Sequence, residues 1–530
     1  MHETNLLEDQ PIAWTPTPDV IERSQLTKFM KQVGVSTWDE LYEFSIGDVE
    51  KFTEEVLKFL DIKFDPPFEK LLDTSGGIEL PKWFISPPRR GDAEAETRPV
   101  RSVLLSEPRA VATGSPADHL ETSDSSELSP RRRRGGTPPK QAVELSSHRS
   151  VPRAVATGSP ADQSPTEAHA GLNITTMCLD RWQPSDPWNQ TTPAVIWEGE
   201  DGVIQTYDYF ELLEEVESCA AGLRFRGFEK GDAIGIHLPM LVETVVALLA
   251  INRIGAIAVP VFSGYGVDAI ASRMNAVCAK ALFTCRGFSR RGKFVDALRV
   301  AREAIETCPS IVNVFVVGES FPKNSNRPVF EGYDILLDFD AAPSDAEPTS
   351  AEDPLIILYT SGTTGKPKGI AHTHGSFPIK AAQDMAFGTD VGRGTRISWY
   401  TDIGWMMGPW LIYGALINGA TICIYDGAPD YPTPDRMWEF CAKHKVEILG
   451  ISPTLVRALA AHEGSRSSTT PTSQSLGHPS LDKEGSLARN SPPVLGGVAA
   501  ASADGVVREN KEESLAQNSP PVLGGVAAAS

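Results

Sequence analysis

Between Leu358 and Ile370 the chain reads LYTSGTTGKPKGI. Thr360, Ser361, Thr363 and Thr364 offer hydroxyl donors, and Lys366 and Lys368 offer positive charge. Gly362 and Gly365 let the backbone close on a ligand. Donors, close backbone and cations behind the apolar run Pro354–Leu358 suit a loop that wraps phosphate oxygens at the end of a buried strand. A Walker A loop is excluded by spacing. That motif needs a glycine where Thr360 stands and Ser or Thr after the Gly-Lys pair, where Pro367 stands. The plain alternative is a flexible Gly/Thr surface turn.

Further segments carry a resemblance. TSGTTGKPKG, followed by His372-Thr-His374-Gly375 and by Tyr400-Thr-Asp-Ile-Gly-Trp405, resembles the acyl-adenylate-forming (AMP-binding) enzymes: acyl-CoA synthetases, firefly luciferase and peptide-synthetase adenylation domains. Tyr413–Leu416, Gly419–Thr421, Pro432–Pro434, Ile451–Thr454 and the N-terminal stretch Trp38–Phe84 are similar to short-chain, acetyl-CoA-synthetase-type members. The resemblance covers about three fifths of the chain.

The resemblance implies a two-step ligase. A carboxylate attacks the α-phosphorus of ATP to give acyl-AMP and pyrophosphate, and a thiol, usually coenzyme A, then takes the acyl group. A carboxylate is already a competent nucleophile, so the protein mainly positions it and stabilises phosphate charge. By resemblance, Thr360, Ser361, Gly362, Thr363, Thr364, Gly365 and Lys366 hold the β- and γ-phosphates of ATP–Mg²⁺, with Lys368 a secondary contact. Trp405 is the pocket aromatic, with Met406 and Met407 where acetyl-CoA synthetases usually carry Val and Thr; the alternative is core packing of a Trp-Met-Met run. Arg290, Arg291 and Lys293 resemble the stretch that meets the coenzyme A 3′-phosphate, or form an exposed charge run. Asp430 stands where that group usually has Asn. His374 is a helix-start residue or a pocket wall. No third ligand near His372 and His374 supports a metal pair.

The family's later motifs, which carry the adenine, magnesium and ribose contacts and the catalytic lysine, are not found after Thr454. The expectation is therefore a short-chain acyl-CoA synthetase by ancestry, inactive alone and with no catalytic residue identified. The competing reading is a non-catalytic nucleotide-binding fragment, or a subunit completed by a second chain. Transfer to a carrier protein's pantetheine is argued against by the synthetase-like N-terminal stretch.

The elements that must position these residues read as α/β. Ala194–Trp197, Ala233–Leu238, Ala256–Phe262, Lys280–Thr284, Val312–Val317 and Leu355–Tyr359 are short apolar strands. Phe210, Leu213, Val216, Ala220 and Leu223 fall on one helical face before Gly227, and Val242–Ile251 is a second helix. Strands alternating with helices imply mainly parallel sheets, with ligands at the strands' carboxyl ends. Four parts are expected: an N-terminal segment (1–84), an insertion (85–170), an adenylate-forming domain (171–462) and a tail (463–530). The first can bury a core through Phe29, Trp38, Tyr42, Phe44, Phe52, Phe59, Trp83 and Phe84. The insertion has no Phe, Trp or Tyr and repeats PRAVATGSPAD at Pro108 and Pro152. The tail repeats SLARNSPPVLGGVAAAS at Ser514, with Gln517 in place of Arg489. Such compositions bury too little apolar surface to offset chain entropy and read as disordered.

Lys+Arg 49 against Asp+Glu 69 gives a net charge of −20 over 530 residues, which argues against nucleic-acid or anionic-membrane partners. The run Arg131–Arg134 reads as a solvated charge run. Seven scattered cysteines suggest buried thiols in a reducing cytoplasm. Leu241–Phe262 is broken by Glu243, Asn252, Arg253 and Pro260, as in a core helix and strand.

Overall fold

The computed structural model describes residues 15–77, 81–86, 168–183, 192–322, 327–338, 344–360 and 367–464. In chain order the strands are β1 (Lys70–Asp73), β2 (Lys82–Ser86), β3 (Ala168–His169), β4 (Pro193–Gly199), β5 (Ile204–Asp208), β6 (Ala233–His237), β7 (Ile257–Pro260), β8 (Ala281–Cys285) and β9 (Phe288–Arg290). They continue with β10 (Lys293–Val295), β11 (Asn313–Val317), β12 (Val329–Gly332), β13 (Pro354–Thr360), β14 (Lys368–Thr373), β15 (Arg396–Trp399), β16 (Thr421–Asp426) and β17 (Ile448–Gly450).

Two large sheets form. One has the order β12-β11-β8-β6-β7-β13-β14, and the other β17-β15-β16-β4-β5. Within the first only β13 and β14 pair antiparallel; within the second only β4 and β5 do. The strands β6, β8 and β16 are buried at every position, as parallel strands covered on both faces must be. The expected mainly parallel α/β architecture is what forms.

Helices are set by local chemistry. Asp208 and Glu211 close a capping box at the start of Tyr209–Phe225, and Gly227 takes φ +82° just beyond its end. The buried face of this helix runs through Tyr209, Leu212, Leu213, Val216, Ala220 and Leu223. Phe210, expected on that face, is exposed. The apolar stretch after Leu241 is the helix Val242–Arg253 followed by β7, and β7 ends at Pro260, so Phe262 belongs to the following loop. Among the described residues no helix is long and apolar enough to cross a membrane.

The N-terminal residues form helices Pro18–Arg23, Gln25–Val33, Trp38–Gly47 and Val49–Phe59. Phe29 stacks on Phe387 at 4.5 Å and meets Phe52 and Phe59 edge-on, which seats these helices on the helix Phe377–Thr389. Trp38 and Tyr42, expected in this core, are exposed. Strands β1, β2 and β3 form a small antiparallel sheet, with Ile85 opposite His169. Ile85, Ser86, Ala168 and His169, assigned to the insertion, are therefore strand residues. Ala170, also assigned to the insertion, is buried and its amide donates to the Phe84 carbonyl; residues 87–167, with Arg131–Arg134, and the tail beyond Gly464 lie outside the described residues. Of the seven cysteines, Cys278 is exposed and Cys441 half-buried, against the expectation of buried thiols throughout.

A buried polar network ties the layers. Arg253 bonds Asp180 through both Nη atoms (2.8 and 2.9 Å), Glu217 (2.8 Å) and the Ser344 carbonyl (2.6 Å). Asn252 donates to the Leu355 carbonyl in β13 (2.8 Å) and accepts from the Tyr413 hydroxyl (2.5 Å). Glu198 in β4 accepts from Arg436 (2.5 Å) and is also bonded by His444, which fixes the helix Arg436–His444 to the second sheet.

Two histidines are buried neutral. Desolvation pushes His237 down to about 4 and His374 down to about 3. Both lie below the unfolded value of about 6.5, so unfolding takes up protons between these limits. The stability they permit is full above pH 6.5 and is lost as pH falls toward 3 to 4. The urea midpoint is expected to drop across that window. His374→Gln is expected to reduce the stability lost between pH 6.5 and 3 by several kcal/mol at most, since each pK unit is worth about 1.4 kcal/mol.

Candidate functional site

The stretch expected to hold phosphates joins β13 to β14. In β13 and β14, Leu358 faces Ile370, Tyr359 faces Gly369 and Thr360 faces Lys368. Ser361, Gly362, Thr363, Thr364, Gly365 and Lys366 lie outside the described residues. Both ends that present them are placed: Thr360 closes the buried strand, and Lys368 opens the exposed edge strand. Tyr359 anchors the base. Its hydroxyl donates to the Arg273 carbonyl (3.3 Å), and the Arg273 guanidinium lies over its ring at 5.4 Å.

His374 resolves as a helix-start residue, though for a helix 200 residues earlier. Its Nδ1 accepts from the Ile174 amide (3.2 Å), the first N–H of Ile174–Cys178. The ring is fully buried, and among the described residues its Nε2 has no hydrogen-bond partner. His372 instead packs beside Phe377, 5.0 Å between ring centres.

The strand next to β13 brings in the second cluster. Ile356 in β13 lies opposite Ala258 in β7, and the two run parallel. Four residues on, Thr360 and Phe262 leave the sheet at the same edge. Phe262 packs 5.7 Å from Trp405 and 5.5 Å from Tyr265, centre to centre. Trp405 arrives from the other sheet, in the loop after β15. Asp402 in that loop is buried; its Oδ2 accepts from the Ser263 hydroxyl (2.6 Å), and its Oδ1 accepts from the amides of Ser263 (3.2 Å) and Gly404 (2.9 Å). Burial nevertheless pushes its carboxyl up to about 6.

Trp405 is 42% and Met406 52% exposed, so these two stand at an open edge and are not core packing. Met407 is half-buried and begins the helix Met407–Ile417. Sequence reasoning missed Phe262 and Ser263. Their signal was their place just after a buried parallel strand, where ligand-facing loops sit.

The basic stretch forms a third cluster. β9 and β10 make a small hairpin with Arg290 opposite Lys293. Arg290 pairs with Asp426 at 2.5 Å and lies over the Phe288 ring at 4.6 Å, and Arg291 pairs with Asp430 at 2.7 Å. Glu200 accepts from the amides of Arg291 (2.9 Å), Gly292 (2.7 Å) and Ala428 (2.8 Å). The two arginines are thus held on the carboxyl ends of β4 and β16, and do not form a free charge run. Lys293 stays exposed. Arg290, Arg291 and Asp430 come together; Glu200 and Asp426 were not foreseen. Among the described residues no group of three His, Cys, Asp or Glu side chains is placed to hold a metal ion.

Residues 187–506 match the family described as AMP-binding enzyme. The acetyl-coenzyme A synthetase of Gemmatimonas aurantiaca is 42% identical over 299 residues, spanning 54% of this chain and 45% of that protein. That of Nostoc linckia is 40% identical over 295 residues, spanning 54% of this chain and 86% of the relative. Acetoacetyl-CoA synthetase from Streptomyces lividans shares the fold, with a TM-score of 0.63 over 85% of this chain and 56% of that one, at 23% identity. The chain spans less than half the length of several of these relatives, 45% for the Gemmatimonas protein and 43% for that of Chlorobaculum tepidum.

Gly404 makes the closest approach in the site. A Cβ there would lie 2.1 Å from the Phe262 amide nitrogen and 2.4 Å from its Cα, and backbone atoms cannot step aside. Gly404→Ala is expected to cost about 1–3 kcal/mol or more in urea unfolding, and to change the near-ultraviolet circular dichroism of the Trp405–Phe262 pair. A neutral outcome would mean the two loops are not in contact.

Proposed function

The chain belongs to the AMP-binding enzyme family, and from that premise we propose that it serves ATP-dependent activation of a short-chain carboxylate to acyl-AMP and then acyl-CoA. In the first step a carboxylate oxygen bonds to the α-phosphorus and the α–β phosphoanhydride breaks, releasing pyrophosphate. In the second the thiol sulfur bonds to the acyl carbon and AMP leaves. ATP, Mg²⁺ and coenzyme A are the co-substrates of this reading.

One observation carries it. Strand β13, which leads into residues 361–366, and strand β7, which leads into Phe262 beside Trp405, are parallel neighbours that end at one edge. A triphosphate held by Thr360–Lys366, with Lys368 beside it, would lie next to a carboxylate seated against Trp405, Met406 and Met407. Apolar walls of that kind suit a short acyl chain. Coenzyme A would approach the Arg290, Arg291 and Lys293 hairpin, where its phosphate has to compete with Asp430 for Arg291.

The test is ATP binding to the purified full chain, followed by carboxylate-dependent ATP–pyrophosphate exchange with acetate, propionate, butyrate and acetoacetate. Saturable ATP binding is expected, weakened about 10-fold or more in Lys366→Ala, in keeping with a lost charge-assisted bond. Folded chain that binds no ATP would overturn the reading. Exchange above the Lys366→Ala level would assign the adenylation step to this chain itself.

A further inference from the structure

Four polar groups lie in one line across the edge that joins the two sheets. Thr284 at the end of β8 meets His237 Nδ1 at 3.2 Å, and His237 Nε2 meets the Ser263 carbonyl at 3.1 Å. The Ser263 hydroxyl donates to Asp402 Oδ2 at 2.6 Å. With Nε2–H donating to the carbonyl, Nδ1 accepts from the Thr284 hydroxyl, and the line is satisfied with a neutral imidazole. Ser, His and Asp together invite the idea of a nucleophilic triad, but the geometry excludes it. The imidazole meets the serine's carbonyl and not its hydroxyl, and the hydroxyl's proton is already committed to Asp402.

The line has a different consequence. Phe262 directly precedes Ser263, and Trp405 follows Asp402 by three residues, so the two rings hang from the two partners of one hydrogen-bonded pair, in which the Ser263 hydroxyl makes the shortest bond. Gly404 lets the backbones touch, and the rings meet at 5.7 Å. Trp405 is half-exposed and gains little hold from packing, so its position depends on the loop beneath it. We infer that the Asp402–Ser263 pair is a specificity-determining positioning device, which sets the depth of the acyl pocket by holding Phe262 against Trp405. This rests on Trp405 being a pocket wall.

The test isolates Trp405 as the difference between each full-length protein and its Trp405→Phe counterpart, read by fluorescence and acrylamide quenching. Ser263→Ala is expected to raise Trp405 quenching up to about twofold, from 42% exposure toward full exposure. Ser263→Thr keeps the hydroxyl and should restore the parental value. Asp402→Asn should act in the same direction as Ser263→Ala, and the double variant should add nothing further. If Asp402→Asn does not fold, Ser263→Ala and Ser263→Thr decide. Unchanged Trp405 quenching in Ser263→Ala overturns the proposal. In carboxylate binding or exchange, Ser263→Ala should shift preference from acetate toward butyrate by about 3–10-fold, the worth of one hydrogen bond. An altered Trp405 signal with unaltered preference overturns the specificity role. The quenching measurement needs no ATP, so failure of the ligase reading and failure of this one are distinguishable.

Discussion

Asp402 is buried, and a buried carboxylate must find donors or give up its charge. It finds them partly in its own loop, at Gly404, and partly across the gap between two sheets, at Ser263. That crossing brings together loops whose sequences lie about 140 residues apart. Other bonds follow the same line of closure. The Trp197 indole in β4 donates to the Met240 carbonyl beyond β6 (2.9 Å), and Glu200 gathers three amides from the β9–β10 hairpin and from Ala428. The bonds between Asp402 and Ser263 are buried, so each counts for more than a surface contact would.

Behind that edge the layers are fixed by polar groups with no freedom to move. Asn252 spans helix Val242–Arg253, β13 and helix Met407–Ile417, and Arg253 next to it draws in Asp180 and Glu217. A guanidinium buried with two carboxylates is costly to desolvate and more costly to leave unpaired, so this corner has one good arrangement. His374 extends the same logic from the end of β14 to Ile174. The strands that flank residues 361–366 are therefore tied down on their buried side.

Electrostatics separates the clusters. A chain of net charge −20 does not attract polyanions by its overall field, so any phosphate affinity has to be local. At the β9–β10 hairpin the local positive charge is largely answered by Asp426 and Asp430. Lys368, at the start of β14, is exposed.

Much of this was legible in the sequence, because it depends on neighbours along the chain. Runs such as AIGIH and ALFTC can only be buried strands, Asp208 with Glu211 marks a helix start, and TSGTTGKPKG states its chemistry in its own residues. What failed did so where burial is decided by distant partners. Phe210 and Tyr42 look like core residues until packing turns another face inward. Arg290 and Arg291 look like free charge until β16 delivers two aspartates to them. Ser263 gives no sign of its partner until the loop after β15 places Asp402 within 2.6 Å. Local composition and periodicity determined most of the elements. Only the tertiary structure decided which charges are already paired and which rings face one another, because those outcomes depend on contacts between strands that no sequence spacing records.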